Sequence, residues 1–379
     1  MTKIYCNMRD LMENKTIILI NNRNKLYSKT LINESEIKYD KNLVSLLKSY
    51  DKSKIYNLTH IEDMDGMTSA ALLKHYYDLP YENIIFADYG ELNLKNTIAD
   101  MKKSISNGVL VITDLSLNEK FIPIFKKFLR FARTKKNKVI WLDHHFCGED
   151  TINSIFPLLD YAVIGENRKF CGAELVYNIL CEKSEIGSTL AKIAHAMDFK
   201  VEIEEKYNKH IKNILYAISY LNKNGNYKKN LRDFIKDIEN LDFNSELIRN
   251  AARKYTELAK IETKYIINNT SVFDSNGYKI AVGFGKDLNS TDVCDSIEKK
   301  VNSDLIIYAK SDSYSASLRR SKNIDINCIK IAAKMGGGGH PFAAGFPIPV
   351  NIDIATNTGR KIFVNKIKKV VDSVLKNDS

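Results

Sequence analysis

The residues best suited to chemistry are carboxylates and imidazoles gathered at the ends of apolar runs. Val139-Ile140-Trp141-Leu142 stops at Asp143-His144-His145, in a chain of 379 residues with only seven histidines. Adjacent ionisable groups at the end of a buried strand are costly unless something binds them. Two more runs end alike: 55–59 leads into His60, with Asp63 and Asp65 close behind, and 109–113 leads into Asp114. A helix-like stretch from 190 closes on Asp198. Imidazoles and carboxylates without thiolates suit a hard-to-borderline divalent ion, with Mn²⁺ the natural candidate. His60, Asp63, Asp65, Asp114, His144 and Asp198 are more ligands than one catalytic ion takes from protein, whereas two ions sharing a bridging carboxylate would use them all. Such a pair can acidify a water and hold phosphoryl oxygens, as in-line attack on a phosphoester requires. Asp143 and His145 would then orient His144 and steady a phosphate.

A second cluster lies far downstream. Gly336-Gly337-Gly338-Gly339-His340 lets backbone N–H groups converge on an anion with no Cβ in the way. Arg319 and Arg320, at the end of a strand-like stretch just before it, offer forked donors to a phosphate.

These residues must be positioned by regular elements. From 55 to 145, near-continuous apolar strands alternate with helix-like stretches at 68–77, 97–105 and 121–134, which predicts βαβ units and a parallel sheet covered on both faces. Ligands of such sheets bind outside the carboxyl ends of the strands, where all three acidic endings would sit on one rim. Helices are expected at 172–181 and 190–197. The charged stretch 202–264 is expected to be a helical connector. A second unit from 265 reads as a strand at 279–284, a helix at 292–301, strands at 305–308 and 314–319, a helix at 329–335, then the glycine loop and a basic terminal helix. The first fifty residues show one strand at 16–20, a short helix at 43–50 and no chemistry. No period of 20–50 residues recurs, so a repeat architecture is excluded. The expected domains are 1–200, 201–264 and 265–379.

The formal net charge of +11 fits an anionic partner such as nucleic acid, and equally a lysine-rich solvated surface. Six scattered cysteines form no C-x-x-C pair, which excludes a zinc ribbon or disulfide scaffold and fits a reduced, cytoplasmic setting. Cys147, two residues past His145, reads as a bystander thiol. No signal-peptide pattern opens the chain, and no apolar run approaches the ~20 residues of a membrane span.

His60-x-x-Asp63-x-Asp65-Gly66 with Ser69-Ala70, then Asp114, Asp143-His144-His145 and Asp198, resemble the ordered motifs of the DHH phosphoesterases. That family includes RecJ exonuclease, nano-RNases that degrade short RNA, and linear or cyclic dinucleotide phosphodiesterases. The glycine run with His340-x-x-Ala343-Ala344-Gly345-Phe346 resembles the first type of DHH-associated C-terminal domain, and Ser317-Leu318-Arg319 its substrate strand. The resemblance spans about 55–346. It implies an α/β fold of two lobes around a cleft, a parallel-sheet catalytic lobe with two Mn²⁺ ions and a smaller substrate-binding lobe. His60, Asp63 and Asp114 would hold one ion; Asp65, Asp114, His144 and Asp198 would hold the other. His145 would face the scissile phosphate, and Arg319, the glycine loop and His340 would bind the substrate's terminal phosphate or nucleotide. The spacing of three between His60 and Asp63 departs from the family's two or four.

The expected activity is Mn²⁺-dependent hydrolysis of short single-stranded RNA or linear dinucleotides to mononucleotides. The alternatives are a cyclic-dinucleotide phosphodiesterase, a RecJ-like nuclease on single-stranded DNA, and a nucleotide-binding regulator without catalysis. Pyrophosphatase activity is disfavoured, since the second lobe resembles the other associated type. A homodimer is among the expected partners, and a membrane is not.

Overall fold

In the computed structural model the described residues are 17–21, 28–32, 37–87, 91–115, 121–145, 149–165, 169–223, 226–349 and 351–376. The first described elements are an antiparallel pair, β1 (Ile17–Asn21) and β2 (Ser28–Ile32), one strand more than the sequence predicts there. In α1 (Lys41–Lys48) the Asp40 carboxylate accepts from the Asn42 and Leu43 amides and caps the helix. Strands and helices then alternate: β3 (Ile55–His60), α2 (Met64–Tyr77), β4 (Ile84–Ala87), α3 (Glu91–Ser104), β5 (Val109–Thr113), α4 (Ile122–Thr134), β6 (Lys138–Asp143), α5 (Glu149–Ile155) and β7 (Tyr161–Ile164).

The seven strands form one sheet in the order β2-β1-β7-β6-β5-β3-β4. From β7 to β4 every pairing is parallel, and the first pair extends the sheet antiparallel beyond β7. All residues of β3 and β5 are buried; in β3 the buried Asn57 and Thr59 are hydrogen-bonded, and β5 reads as a near-continuous apolar run rather than an alternating one. The reason is the helical cover on both faces. Phe125, Phe128 and Trp141 lie in a core with α3, α4 and α5. Leu72, Leu73 and Val176 lie in another with α2 and the helices that follow β7. Sequence order reverses between β3 and β5, because the chain places β4 on one side and β5, β6 and β7 on the other. A crevice outside the strand ends is expected at such a reversal.

After β7 come α6 (Gly172–Leu180), α7 (Glu185–Phe199), α8 (Glu205–Leu221), α9 (Tyr227–Glu239) and α10 (Glu246–Asn268). Ile214, Ile218, Phe234 and Ile238, on the apolar stripes of α8 and α9, are buried in the same core as α2. Amphipathic helices of this kind bury one face, so most of the stretch expected as a connector packs as part of the first unit. By compactness the chain divides at Ala252 and Arg253.

The second unit holds β8 (Ser271–Ser275), β9 (Tyr278–Gly285), α11 (Ser290–Val301), β10 (Leu305–Lys310), β11 (Ser315–Arg320), α12 (Cys328–Lys334), β12 (Gly338–His340), β13 (Ala343–Pro347) and α13 (Asn357–Leu375). Its sheet runs β12-β13-β11-β10-β9-β8, and only β9 and β10 are parallel. Ile331, Phe363 and Ile367 cover one face; Val293 and Ile297 of α11 cover the other. The glycine run is not wholly a loop. Gly338 and Gly339 belong to β12, hairpinned onto β13, and a Cβ at Gly337 would stand 2.0 Å from the Gly345 carbonyl oxygen. At Gly337 the glycine permits close packing of backbone on backbone. No helix among the described residues is long and apolar enough to cross a membrane.

Candidate metal centre

Each ionisable side chain of the rim is fixed by the end of an element. Asp63 caps α2 by accepting from the Gly66 amide at 3.1 Å. Its other oxygen lies 2.8 Å from Nδ1 of His60, the last residue of β3. The spacing of three therefore still brings the two side chains together. Asp65, in the first turn of α2, accepts from the Gly172 and Ala173 amides of α6, both at 2.6 Å. Those are the first two amides of that helix, donors that have no partner within it and that favour a negative charge.

Asp114 follows β5 with a φ of +48°, a backbone state that short polar residues tolerate better than most and that gathers at functional sites. Its side chain is 1% exposed, and neither carboxylate oxygen has a hydrogen-bond partner among the described residues. Nε2 of His144 is equally unsatisfied, at 3.5 Å from Asp65, 3.6 Å from Asp114 and 3.7 Å from Asp198. These gaps are too long for hydrogen bonds. Ligand atoms about 2.1 Å from a shared ion stand about 3.0–3.6 Å apart, close to the spacing found. Buried polar atoms without partners cost free energy, and a divalent ion among them removes the cost. The donor set therefore fits a metal. Among the described residues three groups have the required closeness: His60, Asp63 and Asp114; Asp65, His144 and Asp198; and Asp114, His144 and His145.

Electrostatics agree with the geometry. Burial, then the carboxylates of Asp65, Asp63, Asp143 and Asp198, push Asp114 well above the usual carboxylate range. Burial and Asp65 raise Asp198 to about 6. Burial opposes the charge on Asp63, but His60 beside it holds the carboxyl below its ordinary value. His145 pairs through Nδ1 with Asp143 at 2.8 Å. Burial is the largest influence and disfavours its charge, but Asp143, Asp63 and Asp65 together outweigh it and hold the pKa up at about 9.

All eight rim residues expected from sequence thus converge. Gly172 was not anticipated. A Cβ there would meet Cβ of Asp114 at 2.9 Å and an Asp65 oxygen at 3.1 Å, so only glycine lets α6 approach both carboxylates without displacing them. Its signal in sequence is a glycine where a helix begins, which is too common to single out. Also unanticipated, Glu174 accepts from the Cys171 amide at 3.0 Å and pairs with Nδ1 of His195 at 2.7 Å.

In the second unit, Arg319 and Arg320 diverge. Arg319 donates to Thr291 Oγ1 at 2.7 Å, on the face where the Ser317 and Ser290 hydroxyls meet at 2.9 Å. Arg320 pairs instead with Asp325 at 2.9 Å. Gly336, at a φ of +79°, turns the chain out of α12. The backbone of His340 ends β12, and its side chain lies outside the described residues, as does Cys147.

Comparison with known proteins follows this division. The DHH family, N-terminal domain, matches residues 54–217, and the DHHA1 domain matches 277–377. No curated protein matches. Among solved structures, RecJ in complex with Mn²⁺ from Thermus thermophilus is similar at 12% identity and a TM-score of 0.50, over 86% of this chain and 54% of that one. An exopolyphosphatase-related protein from Bacteroides fragilis matches at 15% identity and 0.49, over 90% and 98%. PggH, a pGpG-specific phosphodiesterase from Vibrio cholerae, matches at 13% and 0.46, over 83% and 98%.

Proposed function

The chain belongs to the DHH family, whose members are hydrolytic phosphoesterases and nucleases, and on that premise we propose that it hydrolyses short RNA or linear dinucleotides to mononucleotides with two divalent ions, Mn²⁺ foremost. One observation carries the reading: Asp114, buried and without a hydrogen-bond partner among the described residues, stands in reach of two separate ligand groups. His60, Asp63 and Asp114 would hold one ion, and Asp65, Asp114, His144 and Asp198 the other. When bound, the ions supply positive charge to phosphoryl oxygens and lower the pKa of water.

The chain's own residues do the remaining work. Asp143 accepts from Nδ1–H of His145 and so orients its half-buried ring beside the carboxylates. That ring would steady the scissile phosphate. The α6 amides hold the Asp65 carboxylate stationary. Arg319, oriented by Thr291, is the better candidate of the two arginines for a terminal phosphate, with the backbone of 338–340 in the same sheet on the far side of β13.

The test is a Mn²⁺ time course on end-labelled RNA, from dinucleotides to chains of about two dozen residues, with long single-stranded DNA and cyclic dinucleotide lanes. Fast loss of the shortest RNAs, abolished in Asp114→Ala, is expected. Preference for the cyclic or long DNA lanes would replace the substrate assignment. Cleavage undiminished in Asp114→Ala would remove the centre itself.

A further inference from the structure

We propose that Glu174 and His195 form a positioning pair that holds the Asp65, His144 and Asp198 ligand group in register; the proposal rests on the reading that this group holds an ion. One oxygen of Glu174 does two things. It accepts from the Cys171 amide, completing the cap of α6, and it binds Nδ1 of His195 on α7. The next two amides along α6, those of Gly172 and Ala173, carry Asp65. The Glu174 carboxylate thereby sets the direction of the helix end on which Asp65 hangs.

His195 acts on the other two ligands. It stands three residues before Asp198, about one turn of α7 away. Its ring packs against Phe199 with centroids 4.7 Å apart, and Phe199 meets the His144 ring edge-on at 6.1 Å. A single hydrogen bond of 2.7 Å thus ties together the supports of all three ligands.

Stability alone does not call for it. α6 and α7 already share an apolar core through Leu175, Val176, Ile179, Leu190 and Ile193. Placing a second carboxylate near Asp65 is unfavourable, and Asp65 contributes to a raised Glu174 pKa, behind burial as the main cause. A pair retained at such a cost fits a demand for orientation. Outer hydrogen-bond partners of metal ligands are typically worth about 10- to 100-fold in metal affinity.

The experiment is calorimetric titration of the metal-free full chain with MnCl₂. Wild type is expected to bind two ions, and binding of none would overturn the proposed centre rather than the pair. In an Asp63→Ala background, which isolates the Asp65, His144 and Asp198 ion, Glu174→Ala and His195→Ala should each weaken binding about 10- to 100-fold. The double variant should lose less than the two single losses combined, since both singles break the shared Glu174–His195 bond. Glu174→Gln keeps an oxygen for both donors and should restore most of the affinity. In an Asp198→Ala background, which isolates the other ion, the same changes should have little effect. Unchanged affinity, additive losses, a Gln variant as weak as Ala, or equal weakening of both ions would each overturn the pair.

Discussion

The rim of the first sheet and the Arg319 face of the second are both polar, and they are built by opposite rules. On the rim, Asp65, Asp114 and His144 are buried, crowded with like charge, and spaced beyond hydrogen-bond reach of one another. On the second sheet, Arg319, Thr291, Ser317 and Ser290 are partly exposed and satisfy each other at 2.7 and 2.9 Å. The contrast teaches what each waits for. A site in which Asp114 and Nε2 of His144 find no partner among the described residues has the donor set to take an ion. A site whose groups already pair keeps its shape while empty and can exchange a transient ligand.

The most severe break in that contrast is Asp114→Ala. It should cut turnover by about 10³-fold or more, beyond the ~10- to 100-fold typical of outer partners. The same change should raise the melting temperature of the metal-free protein, because it deletes a buried carboxylate crowded by others; calorimetry on chelator-treated samples checks the sign. Chelation comes next. Asp198 has a folded pKa raised to about 6 against an ordinary carboxylate value when unfolded. The native state therefore binds more protons, and the metal-free protein loses stability as pH rises through about 4 to 6. Mn²⁺ should restore that loss, so the gain in melting temperature on adding Mn²⁺ should grow from pH 5 to pH 7.5.

Arg319→Ala should raise KM about 10- to 100-fold, the worth of one hydrogen bond to a charged group, while Mn²⁺ affinity stays at the wild-type value. A loss of metal binding in that variant would erase the distinction between the two regions. Gly172→Ala should fall between them. Its Cβ presses on both Asp114 and Asp65, so it should weaken Mn²⁺ binding by about tenfold and leave KM close to wild type. Arg320→Ala should change KM least, within about threefold, because its partner Asp325 is solvent-exposed.

The strands that bear the rim were legible for a physical reason. A strand covered on both faces is largely apolar, so 109–113 and 139–142 stand out, and 55–59 admits Asn57 and Thr59 because their side chains are hydrogen-bonded; an acidic ending on such a run is conspicuous. The short strands β2, β7 and β8 were missed because runs of four or five mixed residues carry no distinctive period. The glycine run reads as a loop in sequence, since composition cannot reveal that β13 supplies a partner for Gly338 and Gly339. The stretch 202–264 looked like a connector because its charges dominate the composition, although its apolar stripe is what packs.

By itself the sequence determined the donor chemistry: which carboxylates and imidazoles exist, and that they follow apolar strands. It also carried the ordered motifs of the DHH and DHHA1 domains. Only the tertiary structure decided which of these residues meet. The reversal between β3 and β5 sets His60 beside Asp114. The approach of α6 hangs Asp65 on two amides more than a hundred residues away, and α7 brings Asp198 to His144. Residue type is a local property written in one dimension. Distance between side chains is a consequence of strand order and helix packing, and these arise from burying apolar faces remote from the site.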